Sequence, residues 1–274
     1  MKAVTVDGLR MRYGANDVLN DVTFQVDSGK VLALLGPNGA GKTTTIEILE
    51  GFRRRSAGRV SVLGVDPAHG DERWRARIGI VLQSWRDHAK WRVRELLTHQ
   101  GSYYAGLAWD IDDLLAAVGL TEHADKQLRM LSGGQRRRLD VVIGLVGRPE
   151  MLFLDEPTAG FDPEARRDFH ELIHGITGET TIMLTTHDLP EAEKLADRIL
   201  ILSEGRIVAD GTAEELAGED VVRWTLDGRR HERSTQDSTR FVFDLFKRYG
   251  DAVSGLEVRP ASLEDTYLTL VENA

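Results

Sequence analysis

The chain has no cysteine among its 274 residues. That excludes disulfide staples, thiolate metal sites and a cysteine nucleophile, and it suits a reducing compartment. Long apolar stretches are missing too. Runs such as Val31 to Leu35 and Val141 to Val146 fall far short of the ~18 residues that a membrane span needs. The opening MKAVTVDGLRMRYG has no apolar centre, so no signal peptide is expected. Positive charge is in deficit. Thirty-five Lys and Arg against 44 Asp and Glu leave a formal net charge of −9, which argues against a general nucleic-acid surface. No internal repeat is visible. What remains is globular in character. The chain is 41% hydrophobic and 29% charged, enough for a sizeable core in one large domain or two modest ones.

Hydrophobic patterning orders the elements. Val4 and Val6, then Val22, Phe24 and Val26, alternate with period two and predict strands around a turn at Tyr13 to Asp17. Val31 to Leu35 is a continuous apolar run, the pattern of a strand covered on both faces. A glycine-rich loop and a helix from Thr43 to Glu50 follow. Val60 to Leu63, Ile78 to Leu82, Met151 to Leu154 and Thr181 to Thr185 are further strands. Arg198 to Val208 reads as a hairpin turning at Glu204-Gly205. Between about residues 84 and 147 the spacing of Leu96, Leu97, Ile111, Leu114, Leu115 and Val118 is helical, and the stretch reads as a helical insertion. Past Ala217 periodicity is weak, except for a short amphipathic helix over Ser262 to Val271. Strands alternating with helices predict an α/β fold whose mostly parallel sheet binds ligands at its carboxyl edge.

Two motifs occupy that edge. Gly36-Pro37-Asn38-Gly39-Ala40-Gly41-Lys42-Thr43 matches the G-x4-G-K-[S/T] pattern, with a strand before it and a helix after it. The glycines let successive backbone N–H groups form an anion nest, and the helix start adds its positive dipole end. Lys42 supplies a point charge for the β- and γ-phosphates, and the Thr43 hydroxyl suits Mg²⁺, which prefers oxygen ligands. Met151 to Glu156 reads MLFLDE, a buried run ending in two carboxylates. Neighbouring strand residues point to opposite faces, so the pair should divide its work. Asp155 is the natural outer ligand for Mg²⁺, and Glu156 the natural base for an attacking water.

A third motif, Leu131-Ser132-Gly133-Gly134-Gln135, precedes Arg136-Arg137-Arg138. Ser132 is a good helix N-cap, and the glycine pair lets backbone N–H groups approach an anion. LSGGQ, set between the phosphate loop and MLFLDEP, resembles the signature of ATP-binding-cassette (ABC) ATPases, and the resemblance runs from about Val4 to Gly211. It implies a P-loop NTPase (RecA-like) core, an N-terminal antiparallel β subdomain, the helical insertion and a small C-terminal extension. The division is 1–216 for the ATPase domain and 217–274 for the extension. It further implies roles by position. Tyr13 stacks on adenine. Gly36 to Thr44, Ser132 to Gln135 and Asp162 bind nucleotide. Gln83 senses Mg²⁺ and nucleotide state, so that Thr43, Gln83 and Asp155 form the metal set. Ala159 to Asp162 communicates between two sites, and His187 contacts the γ-phosphate beside Glu156.

The resemblance also implies partners. Two copies, or one copy and a related ATPase, pair head to tail, so that Ser132 and Gly134 of one complete the ATP site of the other, and hydrolysis reopens the pair. The stretch from LSGGQRRRLD to LDEPTAGFDP, with the ending Ser262 to Leu268, is similar to ATPase subunits of ABC-2-type drug and antibiotic exporters, which work through a separate multi-span permease. That places the chain on the cytoplasmic face of a cell membrane, with ATP and Mg²⁺ as cofactors and no nucleic-acid partner. An importer ATPase, or a soluble ABC ATPase acting on ribosomes or nucleic acid, shares the same motifs. Three places depart from the pattern. SWRDHAKWRVRELL after Gln83 is less apolar than the group's usual sequence, and Trp85 and Trp91 read either as a docking surface or as an exposed loop. Phe161 stands where leucine is commoner. Arg53-Arg54-Arg55 reads as a solvated face, with lipid headgroups or an acidic loop as its alternative contacts.

Overall fold

The computed structural model describes residues 1–81, 89–104, 106, 108–158 and 160–272. The chain divides into two compact units, Met1–Asp210 and Gly211–Ala274. The alternating N-terminal residues form β1 (Lys2–Tyr13) and β2 (Asn16–Asp27), joined by a tight turn, with β4 (Ala57–Val62) on the other side of β1. This antiparallel sheet turns Val4, Val6, Leu9, Val22, Phe24 and Val26 inward, all 3% exposed or less, as period-two patterning requires.

The main sheet of the first unit runs, among the described residues, β5-β6-β7-β3-β8-β9. These strands are β3 (Val31–Leu35), β5 (Ile78–Val81), β6 (Met151–Asp155), β7 (Thr181–Thr186), β8 (Arg198–Ser203) and β9 (Arg206–Gly211). β3 pairs in parallel with both β7 and β8, and β6 with both β5 and β7. Every residue of β3 and β7 is buried, which is why both read as continuous runs rather than alternations. β9 returns from β8 through Glu204 and Gly205 at φ 47° and 72°, the left-handed pair that a two-residue hairpin turn demands. That turn braces its surroundings. Gly205 N–H donates to Ala40 O at 3.2 Å, and Asn20 N–H to Gly205 O at 2.8 Å.

Helices cover the sheet. α1 (Lys42–Leu49) leaves the phosphate loop, and the short α2 (Glu72–Arg75) is anchored by Trp74, whose Nε1 donates to Val62 O at 2.9 Å. The insertion contributes α3 (Val93–Gly101), α4 (Ile111–Ala117) and α5 (Gly133–Leu145). Leu96, Leu97, Leu114, Leu115, Val118 and Leu120 form its apolar interior. α6 (Pro163–Ile176) and α7 (Leu189–Leu195) start on aspartate caps, Asp162 and Asp188, with proline within the first two positions, as helix starts favour.

The second unit holds α8 (Ala213–Ala217), β10 (Asp220–Leu226), β11 (Arg229–Thr235), α9 (Ser238–Tyr249), β12 (Val253–Arg259) and α10 (Leu263–Glu272). Its antiparallel sheet has the order β11-β10-β12. α10 matches the expected terminal helix. The sheet was not legible in the sequence, because β11 reads RRHERST and is exposed at every position but Thr235, so no alternation marks it.

Candidate functional site

The phosphate loop joins β3 to α1, and its shape depends on glycine at two positions in particular. A Cβ on Gly36 would lie 2.2 Å from Leu202 O, and one on Gly41, at φ 106°, would lie 2.6 Å from Leu19 Cδ2. Neither leaves room for a side chain. Gly41 also stands at the N-cap of α1, where no side chain caps the helix, so the first N–H groups remain available to an anion.

Lys42 is 6% exposed. Its Nζ donates to Gly36 O at 2.7 Å and Pro37 O at 3.2 Å, closing the loop on itself. Burial pulls its pKa down, while Glu156 and Asp155 pull it up. The Thr43 hydroxyl faces Asp155, with Oγ1 to Oδ2 at 3.4 Å. The other carboxylate oxygen of Asp155 accepts from Thr185 Oγ1. Cis ligands of an octahedral ion at ~2.1 Å stand ~3 Å apart, so Thr43 and Asp155 fit two such positions on Mg²⁺. Among the described residues no group of three His, Cys, Asp or Glu side chains could hold a metal. An ion here would therefore take its remaining ligands from phosphate and water, as Mg²⁺ commonly does.

Glu156 departs from the strand geometry expected of it. β6 ends at Asp155, and Glu156 takes φ 47°. Its direction is set by a left-handed turn rather than by the pleat. Glu156 N–H donates to both Thr185 O and Thr185 Oγ1, each at 3.1 Å. Its Oε1 lies 3.3 Å from His187 Nδ1, so β6 and β7 deliver the carboxylate and the imidazole to one place. A cavity of about 590 Å³ opens here, lined by Tyr13, Val18, Asn38, Gly39, Gly41, Lys42, Thr43, Thr44, Asp155 and Glu156. Tyr13 is 40% exposed, and the Arg53 guanidinium lies 5.2 Å from its ring centre.

The signature residues do not line that cavity. Ser132 caps α5 in a reciprocal box. Gln135 N–H donates to Ser132 Oγ at 3.2 Å, and Ser132 N–H to Gln135 Oε1 at 3.1 Å, satisfying two helix-start donors. Gly133 has open space around it. Asp162, whose Oδ1 accepts from Ala165 N–H at 2.8 Å, caps α6. Gln83, Trp85 and Ala159 lie outside the described residues. Trp91 contacts His99 edge to face at 5.1 Å.

The basic trio at 53–55 is less free than a solvated face. Arg53 pairs with Glu47 at 2.6 Å, and Arg55 grips both Asp66 oxygens at 2.8 and 2.7 Å, holding that carboxyl down to about 2. Two residues escaped the sequence reading. Glu50, 6% exposed at the end of α1, is pushed up to about 8, first by burial and then by the like charges of Asp155 and Glu47. Arg137 reaches inward from α5 to the backbone beside Glu156. A charged residue at the end of an apolar helix face was the only signal for the first, and an arginine trio on a helix turning three ways was the only signal for the second.

Comparison with known proteins bears on this geometry. The family model described as ABC transporter matches residues 19–159. A daunorubicin resistance ATP-binding protein of Streptomyces coeruleorubidus is 41% identical over 79% of this chain and 70% of its own length. A Nod factor export ATP-binding protein of Rhizobium johnstonii is 37% identical over 98% of this chain and 94% of its own. A solved ATP-binding subunit of an ABC transporter superposes with a TM-score of 0.73 at 28% identity, covering 98% of this chain and 99% of that one. With the phosphate loop, the carboxylate pair and LSGGQ on an α/β core of this topology, the chain belongs to the ABC transporter family, as one of its ATP-hydrolysing subunits.

Proposed function

We propose that the chain powers export of a substrate through a separate transmembrane permease, by closing as a head-to-tail pair on ATP and reopening on hydrolysis. The observation that carries this reading is the division of the site. Lys42, Thr43, Asp155, Glu156 and His187 gather at one edge of the main sheet, while Ser132 to Gln135 stand apart from that cavity at the start of α5. A signature that cannot serve its own phosphate loop is available to a partner's. The names of the relatives, one of drug resistance and one of Nod factor export, favour export over import. Among the described residues no helix is long and apolar enough to cross a membrane; in this reading the path for cargo belongs to the permease. The protein then sits against the cytoplasmic face of the membrane.

Within the site each residue takes a distinct part. Loop N–H groups and Lys42 hold the β- and γ-phosphates, and Lys42 exchanges its bonds to Gly36 O and Pro37 O for phosphate oxygens. Tyr13 offers a ring face to adenine. Thr43 and Asp155, with Gln83, would hold Mg²⁺, whose positive charge would offset the developing phosphate charge. Glu156 accepts a proton from the attacking water, and His187 orients that carboxylate and reaches the γ-phosphate. Asp162, in the loop that communicates between the two sites, joins the nucleotide-binding set.

Phosphate release by the purified protein and by Lys42→Ala tests the catalytic half. Loss of nearly all turnover in the variant is expected, and wild-type rates would remove Lys42 from the site. Tagged Glu156→Gln, extracted gently from host membranes with ATP and Mg²⁺, tests the rest. A multi-span protein in near-equal amount is expected, whereas recovery from the soluble fraction with ribosomes or nucleic acid would replace the exporter reading.

A further inference from the structure

Arg137 lies two residues past the signature on α5 and is 8% exposed. Its Nε donates to Pro157 O at 2.9 Å, and its Nη2 donates to Asp155 O at 2.8 Å and to Glu156 O at 3.1 Å. Three consecutive carbonyls therefore meet one guanidinium. In an extended strand successive carbonyls alternate in direction, so such convergence requires a break in the backbone. The left-handed φ of 47° at Glu156 is that break. A non-glycine residue keeps this conformation only where its surroundings over-determine it. Here they do so from two sides, with Thr185 taking the Glu156 N–H and Arg137 taking the carbonyls. The planar fork of a guanidinium suits that task, since it aims several donors at once from a rigid frame. Burial of the charge is offset by these carbonyls and by Asp140, Asp155, Glu191 and Glu156 nearby.

The consequence concerns the distance between two kinds of site. Ser132 and Arg137 belong to the same helix start, about 7.5 Å apart along its axis at 1.5 Å per residue. The capping box makes that first turn stiff. The arginines on either side have other partners. Arg136 pairs with Asp140 at 3.2 Å within the helix, and Arg138 donates to Val118 O at 3.0 Å. Of the three, among the described contacts, it is Arg137 that reaches the backbone of Glu156.

We propose that Arg137 is a positioning residue for hydrolysis: from the signature helix it fixes the backbone of Glu156, so that the carboxylate is aligned according to where that helix sits. This rests on the paired, ATP-hydrolysing reading given above. When the signature of one copy engages the partner's ATP, α5 shifts, Arg137 shifts with it, and the Glu156 of the same copy is brought into or out of line. The link runs through one side chain in the cis direction and needs no movement of the phosphate loop.

Arg137→Met and Arg137→Lys test this. The lysine keeps the charge and loses the fork. Three quantities are read: kcat and KM for ATP hydrolysis, affinity for a fluorescent ATP analogue, and ATP-induced pairing in a Glu156→Gln background. A carboxylate misplaced by about 1 Å costs on the order of 100-fold in rate. The expected result is thus a fall in kcat of about 30- to 100-fold for Arg137→Met, with nucleotide affinity within about threefold and pairing retained. Arg137→Lys should recover part of the rate. A kcat within about twofold of wild type in both variants would overturn the inference while leaving the ATPase reading intact. Parallel loss of nucleotide affinity, pairing and rate would also overturn it, since Arg137 would then merely hold the fold. If Arg137→Met does not fold, the lysine variant decides by the same split. A wild-type protein without ATP hydrolysis would instead remove the reading on which the inference rests.

Discussion

At Glu156 one residue's backbone and side chain are specified separately. Thr185 and Arg137 hold the main chain, and His187 lies beside the carboxylate. Replacing only the carboxylate should therefore leave the surroundings in place. Glu156→Gln is expected to bind ATP with unchanged affinity and to lose about 10²- to 10⁴-fold in kcat, the usual worth of a placed general base. Phosphate release beside nucleotide titration checks both halves of that statement. Glu50 makes a different prediction. Its folded pKa of about 8 lies above the ordinary carboxyl value of 4.5. A raised carboxyl stabilises the fold fully below the unfolded pKa and loses that contribution as pH rises through the folded one. Wild-type stability should fall across the window from 4.5 to about 8, because a buried carboxylate must ionise next to Asp155 and Glu47. Glu50→Gln removes the titration. Its urea midpoint relative to wild type should therefore rise between about pH 5.5 and about pH 8. Equal pH dependence in the two proteins would show that Glu50 is already charged in the fold.

Elements were legible where one periodicity governed them. β3 and β7 announced themselves as unbroken apolar runs because both faces are covered, and β1 and β2 as alternations because one face is. The phosphate loop and the MLFLDE run stood out since their chemistry constrains residue type at every position. What stayed hidden depends on partners distant in sequence. β11 carries four charged residues in seven, has no apolar side chain, and pairs only because β10 offers its edge. Arg137 looked like one of three equivalent arginines until α5 was laid on the sheet. That packing is itself close. A Cβ on Gly79 of β5 would lie 2.2 Å from Gly144 O of α5 and 2.8 Å from Leu152 Cδ1, and one on Gly144 would lie 2.8 Å from Val81 Cγ2. Backbone carbonyl cannot yield as a flexible side-chain tip can, so Gly79→Ala must lift the signature helix off the sheet. Overpacking of this kind costs about 1–3 kcal/mol, which denaturant titration would register as a lower midpoint. The same displacement should slow hydrolysis through α5, whereas a midpoint loss with unchanged kcat would mean that the helix recovers its seat.

At the scale of the whole molecule, the residues that line the cavity beside the phosphate loop, from Tyr13 to Glu156, and His187 close to Glu156, all belong to Met1–Asp210. The second unit has its own sheet and its own buried residues, Val222, Leu245, Val253 and Leu263. Its internal ties include Ser238 Oγ and Ala261 N–H, both donating to Asp220. Each unit thus carries the means of its own local order, and the cavity proposed for ATP lies in one of them. A chain ending at Gly211, the last residue of β9, is expected to bind ATP within about twofold of the full chain, a difference under 0.5 kcal/mol. Fluorescent nucleotide titration on the two proteins makes the comparison directly. A large loss of affinity would show that the C-terminal unit shapes the pocket. Retained affinity would confine its work to what happens after ATP is bound, and comparing ATP-induced pairing in Glu156→Gln with and without residues 212–274 would then show whether that work is pairing itself.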